Sequence, residues 1–245
     1  MGTGITNFKS FGPFHLSVIA FSLLVGLCFL FIALRTKSPD GRRNVRLTLA
    51  TVIFLTRGIR YLMDIWFGVF EWSDLLSLHV CHINLILLLI CLIKPSEILF
   101  SFTFLVGIPM GLVVALFPGS NHPAPGLPRA ALFIMSHMML IIGALYLAIV
   151  ERIPLSWRRL WQLVALTAVG MGVIYGINKV MGTNFLYIMT APKGSVIVTL
   201  NRQFGWPGYV FVMFGILVAL MLIMKLGYDF FAGKGESAVN PKKRS

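Results

Sequence analysis

The sequence predicts an all-α membrane protein: a bundle of seven transmembrane helices with its N-terminus outside and its C-terminus in the cytoplasm. Three observations support this class. Of the 245 residues 58% are hydrophobic, only 12% are charged, and the apolar residues form long runs. Soluble domains are roughly a quarter charged, and a domain of this length could not bury so much apolar surface. A soluble enzyme, a disordered chain and a disulfide-rich secreted module are therefore excluded.

Seven apolar segments are each close to the ~20 residues that a helix needs to cross a bilayer. The second of them is unusual, because it contains Arg57, Arg60 and Asp64. Residues 1–231 are expected to form the transmembrane domain, and residues 232–245 a basic, disordered cytoplasmic tail. The predicted spans are 14–34, 46–70, 75–93, 98–117, 131–150, 160–178 and 206–231.

The net charge of +13 reflects basic residues in the short segments between spans. With the N-terminus outside, thirteen Lys and Arg fall on the cytoplasmic side and five on the outer side. The positive-inside rule therefore favours this orientation. No basic domain is present to bind nucleic acid. The three cysteines lie inside apolar runs and do not form a disulfide framework.

Two reactive side chains are predicted at the same depth in the membrane. Cys81 and His137 each lie six residues, or ~9 Å, from the outer ends of their spans. A histidine can take a proton from a thiol, and the resulting thiolate can attack a carbonyl carbon. Cys81 and His137 are therefore candidate nucleophile and base. Cys28 and Cys91 lie in the inner half and are expected to be packing residues.

Other polar residues near the outer ends leave alternatives open. His82 and Asn84 lie close to Cys81 in the sequence and could orient or support the site. Asn178 and Tyr175 end the sixth span, where Asn178 could stabilise an oxyanion or cap the helix. A zinc site is a rival interpretation, because zinc prefers nitrogen and sulfur ligands. Its candidate ligands are His79, His82 and His137.

The charged stripe in the second span has two interpretations. Arg57, Arg60 and Asp64 follow an i, i+3, i+7 spacing and so share one face of a helix. They could form a buried ion pair that holds helices together. They could also form a site for a phosphate or a carboxylate, to which arginine is well suited.

Four short motifs carry a resemblance to a known family. They are LHVCHI around Cys81, the pair Ser136–His137, Asn178 followed by GTNFLY, and the pair Trp206–Pro207. Together they resemble the YwaF-type bacterial integral membrane family. That family is similar to a eukaryotic transmembrane acyltransferase family and, distantly, to androgen-induced membrane hydrolases of fatty acid esters. The resemblance implies a seven-helix enzyme that acts on lipid acyl groups. Cys81 matches the family's nucleophile, His137 its histidine, and Asn178 the asparagine that precedes its GTNFLY motif.

The expected function is acyl transfer from a phospholipid donor to a lipid acceptor in the bacterial cytoplasmic membrane. Cys81 would carry the acyl group as a thioester, and no cofactor is expected. Lipid ester hydrolysis at the same site is an alternative. A second alternative is a non-enzymatic transporter or lipid-binding protein that uses Arg57, Arg60 and Asp64. A zinc-dependent lipid hydrolase is a third.

Overall fold

The computed structural model describes residues 8–70, 78–117, 127–192 and 195–239 and is all-helical over them. Within these ranges there are seven helices, and a short 3₁₀ turn, Phe185–Tyr187, lies between the last two. The helices are α1 (Pro13–Arg35), α2 (Pro39–Trp66), α3 (Val80–Ile93), α4 (Glu97–Leu116), α5 (Leu127–Ile149), α6 (Trp157–Met181) and α7 (Val196–Val239).

Five of the helices are long and apolar enough to cross a membrane. They are α1, α4, α5, α6 and the Ile197–Ala232 part of α7. The helix α3 is equally apolar but has only 14 residues, about 21 Å of rise, and α2 carries the charged stripe. The predicted all-helical membrane protein is thereby confirmed. The predicted start of the third span at residue 75 lies outside the described residues.

The helices α2 and α7 extend well beyond their predicted spans, and local chemistry explains the first extension. The helix α2 begins at Pro39 rather than near residue 46, because the Ser38 side chain accepts a hydrogen bond from the Gly41 N–H and proline suits the first helical position. The helix α7 begins at Val196, ten residues before the predicted start, with a non-helical break at Gly205 and Trp206. It continues to Val239, past the predicted end of the transmembrane domain, and residues 240–245 lie outside the described part.

The centre of the bundle is α5, which contacts α1, α2, α3 and α4. In its apolar stretch 67% of the residues are buried, against 11% in α6 and in α7. Glycine allows close helix approach at several points, and Gly26 and Gly143 are two of them. A Cβ on Gly26 would lie 2.7 Å from Ile142 Cγ1, and one on Gly143 would lie 2.8 Å from Leu88 Cδ2. The helices α6 and α7 therefore form the periphery of a core built around α5.

His15 joins the start of α1 to the end of α4. Its side chain is fully buried. Its Nε2 lies 2.8 Å from the Ala115 carbonyl oxygen, and its Nδ1 accepts a hydrogen bond from the Phe11 N–H at 2.9 Å. Because a carbonyl only accepts, Nε2 carries the proton and the ring is neutral with both nitrogens bonded. His15 is a structural histidine.

Candidate functional site

A small cavity of about 10 Å³ lies between α2, α3 and α5 and contains both residues of the predicted Cys–His pair. Cys81 enters it from α3 and His137 from α5. Its remaining walls come from two apolar and three polar side chains: Leu85, Leu140, Arg57, His82 and Ser136. The structure therefore brings together a thiol, two imidazoles, a hydroxyl and a guanidinium from three helices.

Cys81 lies in the first turn of α3. The sequence had placed it six residues inside a longer span, but the helix begins at Val80 and His79 is its N-cap residue. In the first turn of a helix the backbone N–H groups have no intrahelical acceptor. This end of the helix also carries a partial positive charge. The backbone around Cys81 therefore favours a negative charge on the sulfur or on a group bound to it.

His137 is held in one orientation by the backbone of its own helix. Its Nδ1 lies 2.8 Å from the Phe133 carbonyl oxygen, which can only accept a hydrogen bond. The proton of the neutral ring therefore sits on Nδ1, and Nε2 is the basic nitrogen. The Phe133 carbonyl also accepts a hydrogen bond from Ser136 Oγ at 2.8 Å. The imidazole has the tautomer that a general base needs.

Two arginines and one aspartate form a buried ion cluster beside the cavity. The Asp64 carboxylate is fully buried; its Oδ2 lies 3.6 Å from Arg60 Nε, and its Oδ1 pairs with Arg129 Nε. The Arg60 guanidinium also lies 5.0 Å from the centroid of the Phe133 ring. Arg129 precedes the predicted fifth span, which was expected to begin at residue 131. It instead lies in the first turn of α5 and ties that helix to the end of α2.

Arg57 behaves differently from the other two arginines. It lines the cavity and is only 7% exposed. Its Nη2 donates a hydrogen bond to the Tyr61 hydroxyl at 2.9 Å, and its guanidinium lies 4.6 Å from the centroid of the same ring. In the described part of the chain no carboxylate lies within ion-pairing distance of Arg57. The cavity thus contains a buried cation that would favour an anionic group.

Three of the predicted supporting residues do not line this cavity. Asn178 binds the backbone of the connection between α6 and α7. Tyr175 stacks on Trp206 with ring centroids 6.2 Å apart. Asn84 packs against Gly107 in a π-helical turn of α4, Thr103–Gly107. Their predicted roles in catalysis stay predictions.

The zinc interpretation requires several ligands at one point. His79 and His82 have ring centroids 6.5 Å apart, and His79 lies outside the cavity, against Tyr187 and Phe185. Over the described ranges, no three His, Cys, Asp or Glu side chains are grouped so that they could hold a metal ion.

Cys28 is exposed and Cys91 is buried, and neither lines the cavity.

Sequence reasoning missed Arg129 and did not assign a role to Ser136. Arg129 pairs with a residue 65 positions away, which no local pattern reveals. Ser136 was noted only as part of the Ser–His pair.

A model of the TMEM164 family, a family of transmembrane proteins, matches residues 10–225 of the chain. In the comparisons with curated proteins and with solved structures, nothing matches. The match covers nearly every described helix. The expected similarity to the YwaF-type family and to acyltransferases stays a prediction.

Proposed function

We propose that this chain, which belongs to the TMEM164 family, is an integral membrane lipid acyltransferase with Cys81 as nucleophile and His137 as base. One observation carries the proposal. Two residues that lie 56 positions apart in the sequence, on different helices, line the same buried cavity, and a buried arginine lies beside them. This is the set of groups that covalent acyl transfer requires.

The first half of the reaction forms a thioester. His137 Nε2 takes the proton of the Cys81 thiol, and the sulfur attacks the ester carbonyl carbon of a phospholipid donor. The carbonyl π electrons move to its oxygen. When the tetrahedral intermediate collapses, the bond to the glycerol oxygen breaks, and His137 returns its proton to that leaving oxygen. The products are an acyl-cysteine and a lysolipid.

The second half reverses these steps with a different alcohol. The acceptor hydroxyl loses its proton to His137 and attacks the thioester carbonyl. The C–S bond then breaks, and the Cys81 sulfur leaves as thiolate and recovers the proton. Arg57, which lines the cavity, and the N-terminus of α3 would stabilise the negative charge that develops at the reacting carbonyl or on a substrate phosphate.

The cavity has a volume of about 10 Å³, which is room for about one water molecule. It is therefore far too small to enclose a lipid. In the proposed reaction only the donor ester reaches Cys81, and the rest of the lipid lies in the bilayer.

The same proposal includes seven spans, an outer N-terminus and a bacterial cytoplasmic membrane. The helix α2 has 28 residues, about 42 Å of rise, which exceeds a bilayer core of about 30 Å. The ratio of thirteen to five basic residues supports the orientation. Cysteine labelling tests this orientation. Single cysteines are placed in the α1–α2 and α5–α6 connections, and sealed vesicles are treated with the reagent from outside. Reaction at these cysteines would show that the orientation is the opposite one.

Purified protein incubated with a mixed phospholipid extract tests the reaction, with lipid species followed by mass spectrometry. We expect new acyl combinations with the wild type and none with Cys81→Ala or His137→Ala. Cys91→Ala is the matched control, because Cys91 is buried away from the cavity and donates to the Ser96 carbonyl. A folded Cys81→Ala protein that keeps wild-type turnover would refute the mechanism.

A further inference from the structure

The connection between α6 and α7 is a small, rigid structure that we call the cap, residues 182–190. Asn178, near the end of α6, holds its first half. The Asn178 Oδ1 accepts hydrogen bonds from Phe185 N at 2.9 Å and from Thr183 Oγ1 at 2.8 Å, and its Nδ2 donates to the Phe185 carbonyl at 3.0 Å. The Asn178 side chain is 1% exposed. The cap therefore begins with a fixed geometry relative to α6.

A second asparagine holds the other half of the cap. The Asn184 Oδ1 accepts hydrogen bonds from the backbone N–H groups of Met189 at 3.1 Å and Thr190 at 3.2 Å. The Asn184 Nδ2 donates to the carbonyl and the hydroxyl of Thr190, both at 2.8 Å. These bonds close the segment into a loop. Removing the Asn184 side chain would loosen the loop without changing any residue that lines the cavity.

The cap is also tied to α7 and contains strained backbone. The Tyr209 hydroxyl donates to the Tyr187 carbonyl at 2.8 Å, and Trp206 Nε1 donates to the Ile188 carbonyl at 3.1 Å. Leu186 and Tyr187 have φ angles of 59° and 55°, in the left-handed region that residues with a Cβ avoid. Such conformations persist only where surrounding contacts enforce them.

The strained residues lie at the catalytic end of α3. The rings of Tyr187 and Phe185 pack on His79, with centroids 4.9 Å and 5.8 Å away. His79 is the N-cap residue of α3, two positions before Cys81, and its ring faces that of His82, which lines the cavity. Burial, together with nearby Cys81, raises the pKa of the Tyr187 hydroxyl, so the phenol stays neutral and adds no charge there. The cap therefore covers the N-terminus of α3.

An acyl-cysteine can react with two nucleophiles, a lipid hydroxyl or water. In either case the attacking oxygen loses a proton to His137, the new C–O bond forms and the C–S bond breaks. A lipid hydroxyl yields an ester, whereas water yields a free fatty acid. Since both reactions use the same residues, the outcome depends on which nucleophile reaches the thioester. Exclusion of water from a closed site is a known way to suppress hydrolysis.

We propose that the cap excludes water from the acyl group on Cys81 and so selects a lipid as the acceptor, with Tyr187 and Phe185 on His79 as the closing contact. This inference rests on the proposed function, because it concerns the fate of the thioester. It identifies cap residues that determine acceptor specificity and take no part in the bond-making steps.

Access of water to Cys81 is measured first, without any lipid substrate. Protein carrying Cys28→Ala and Cys91→Ala, which leaves Cys81 as the single thiol, is treated with a charged methanethiosulfonate reagent that reaches the thiol only through water. We expect Asn184→Ala and Tyr187→Ala to raise the labelling rate about tenfold, the change in opening equilibrium that about 1.4 kcal/mol of lost contacts produces. Asn44→Ala, an exposed asparagine on α2, is the matched control and should leave the rate unchanged.

The products are measured second, in the phospholipid assay. We expect Asn184→Ala and Tyr187→Ala to increase the ratio of free fatty acid to transferred acyl chain about tenfold. Tyr187→Phe keeps the ring on His79 and should keep the wild-type ratio. Equal labelling rates in wild type and both cap variants, or an unchanged product ratio despite faster labelling, would overturn this inference alone. A wild type that forms no acyl product would overturn the proposed function and this inference with it.

Discussion

Replacing Asp64 with asparagine tests the buried ion cluster, because it removes one negative charge while keeping the shape of the side chain. In the wild type the fully buried carboxylate lies between Arg60 and Arg129. Asp64→Asn would leave three guanidiniums, each at most 8% exposed, with no carboxylate among the described residues to offset them. Arg57 is the third of these cations. The substitution should therefore destabilise the end of the bundle where α2 meets α5.

The expected cost follows from the geometry. At the 3.6 Å between Arg60 Nε and Asp64 Oδ2, Coulomb's law with an effective dielectric constant of about 20 gives ~4–5 kcal/mol. Measured losses on breaking one side of a buried ion pair are about 3–5 kcal/mol. For a chain of this length, the melting temperature should fall by about 6–20 °C.

Thermal unfolding in detergent micelles measures this effect. Asp40→Asn is the matched control, since Asp40 is exposed in the first turn of α2 and should cost less than about 1 kcal/mol. Adding Arg129→Met to Asp64→Asn should recover part of the loss, because one uncompensated cation is then removed. An Asp64→Asn protein that melts with the wild type would refute the reasoning. The folded variant should also keep more acyl transfer than Cys81→Ala, whereas the transport alternative predicts the reverse order for Asp64 and Cys81.

Three further substitutions test the packing that holds the site. Gly107→Ala should cost about 1–3 kcal/mol of unfolding free energy, because its Cβ would lie 1.9 Å from Asn84 Nδ2. Adding Asn84→Ala to the same protein should relieve the clash. Equal melting temperatures for the single and the double variant would contradict this prediction. Gly26→Ala should cost a similar amount by pushing Ile142, and Ile142→Ala should restore part of the melting temperature. Asn178→Ala removes three hydrogen bonds to the cap and should cost about 1–3 kcal/mol of local stability. The measurement is the rate of protease cleavage between α6 and α7, which should rise. An unchanged rate would contradict the prediction.

The helix pattern was largely predictable from the sequence. The spans at 14–34, 98–117, 131–150 and 160–178 agree with α1, α4, α5 and α6 to within about four residues at each described end. A long apolar run determines a membrane helix almost by itself, since every backbone polar group must be bonded within it. The boundaries that were wrong belong to α2 and α7, where polar or broken helical turns extend beyond the apolar run.

The candidate site was predictable only in part. The residue types at Cys81 and His137 indicated a nucleophile and a base, and the structure places both in one cavity. The prediction that both residues lie six residues inside their helices does not hold for Cys81, because α3 begins only one residue before it. The cap was visible as the GTNFLY motif, but its contact with His79 joins segments about one hundred residues apart.

The sequence by itself determined that this chain is a helical membrane protein and which residue types could carry chemistry there. The free energy of transferring a helix into lipid is close to a sum over its residues, so membrane insertion can be predicted from each segment alone. Only the tertiary structure decided which polar groups meet. The spacing of four residues already allowed Arg60 to pair with Asp64, but the sequence did not reveal that Arg129 joins this pair from α5 or that Arg57 faces the cavity. Both depend on which helices pack against α2, and interhelical packing depends on residues far apart in the chain.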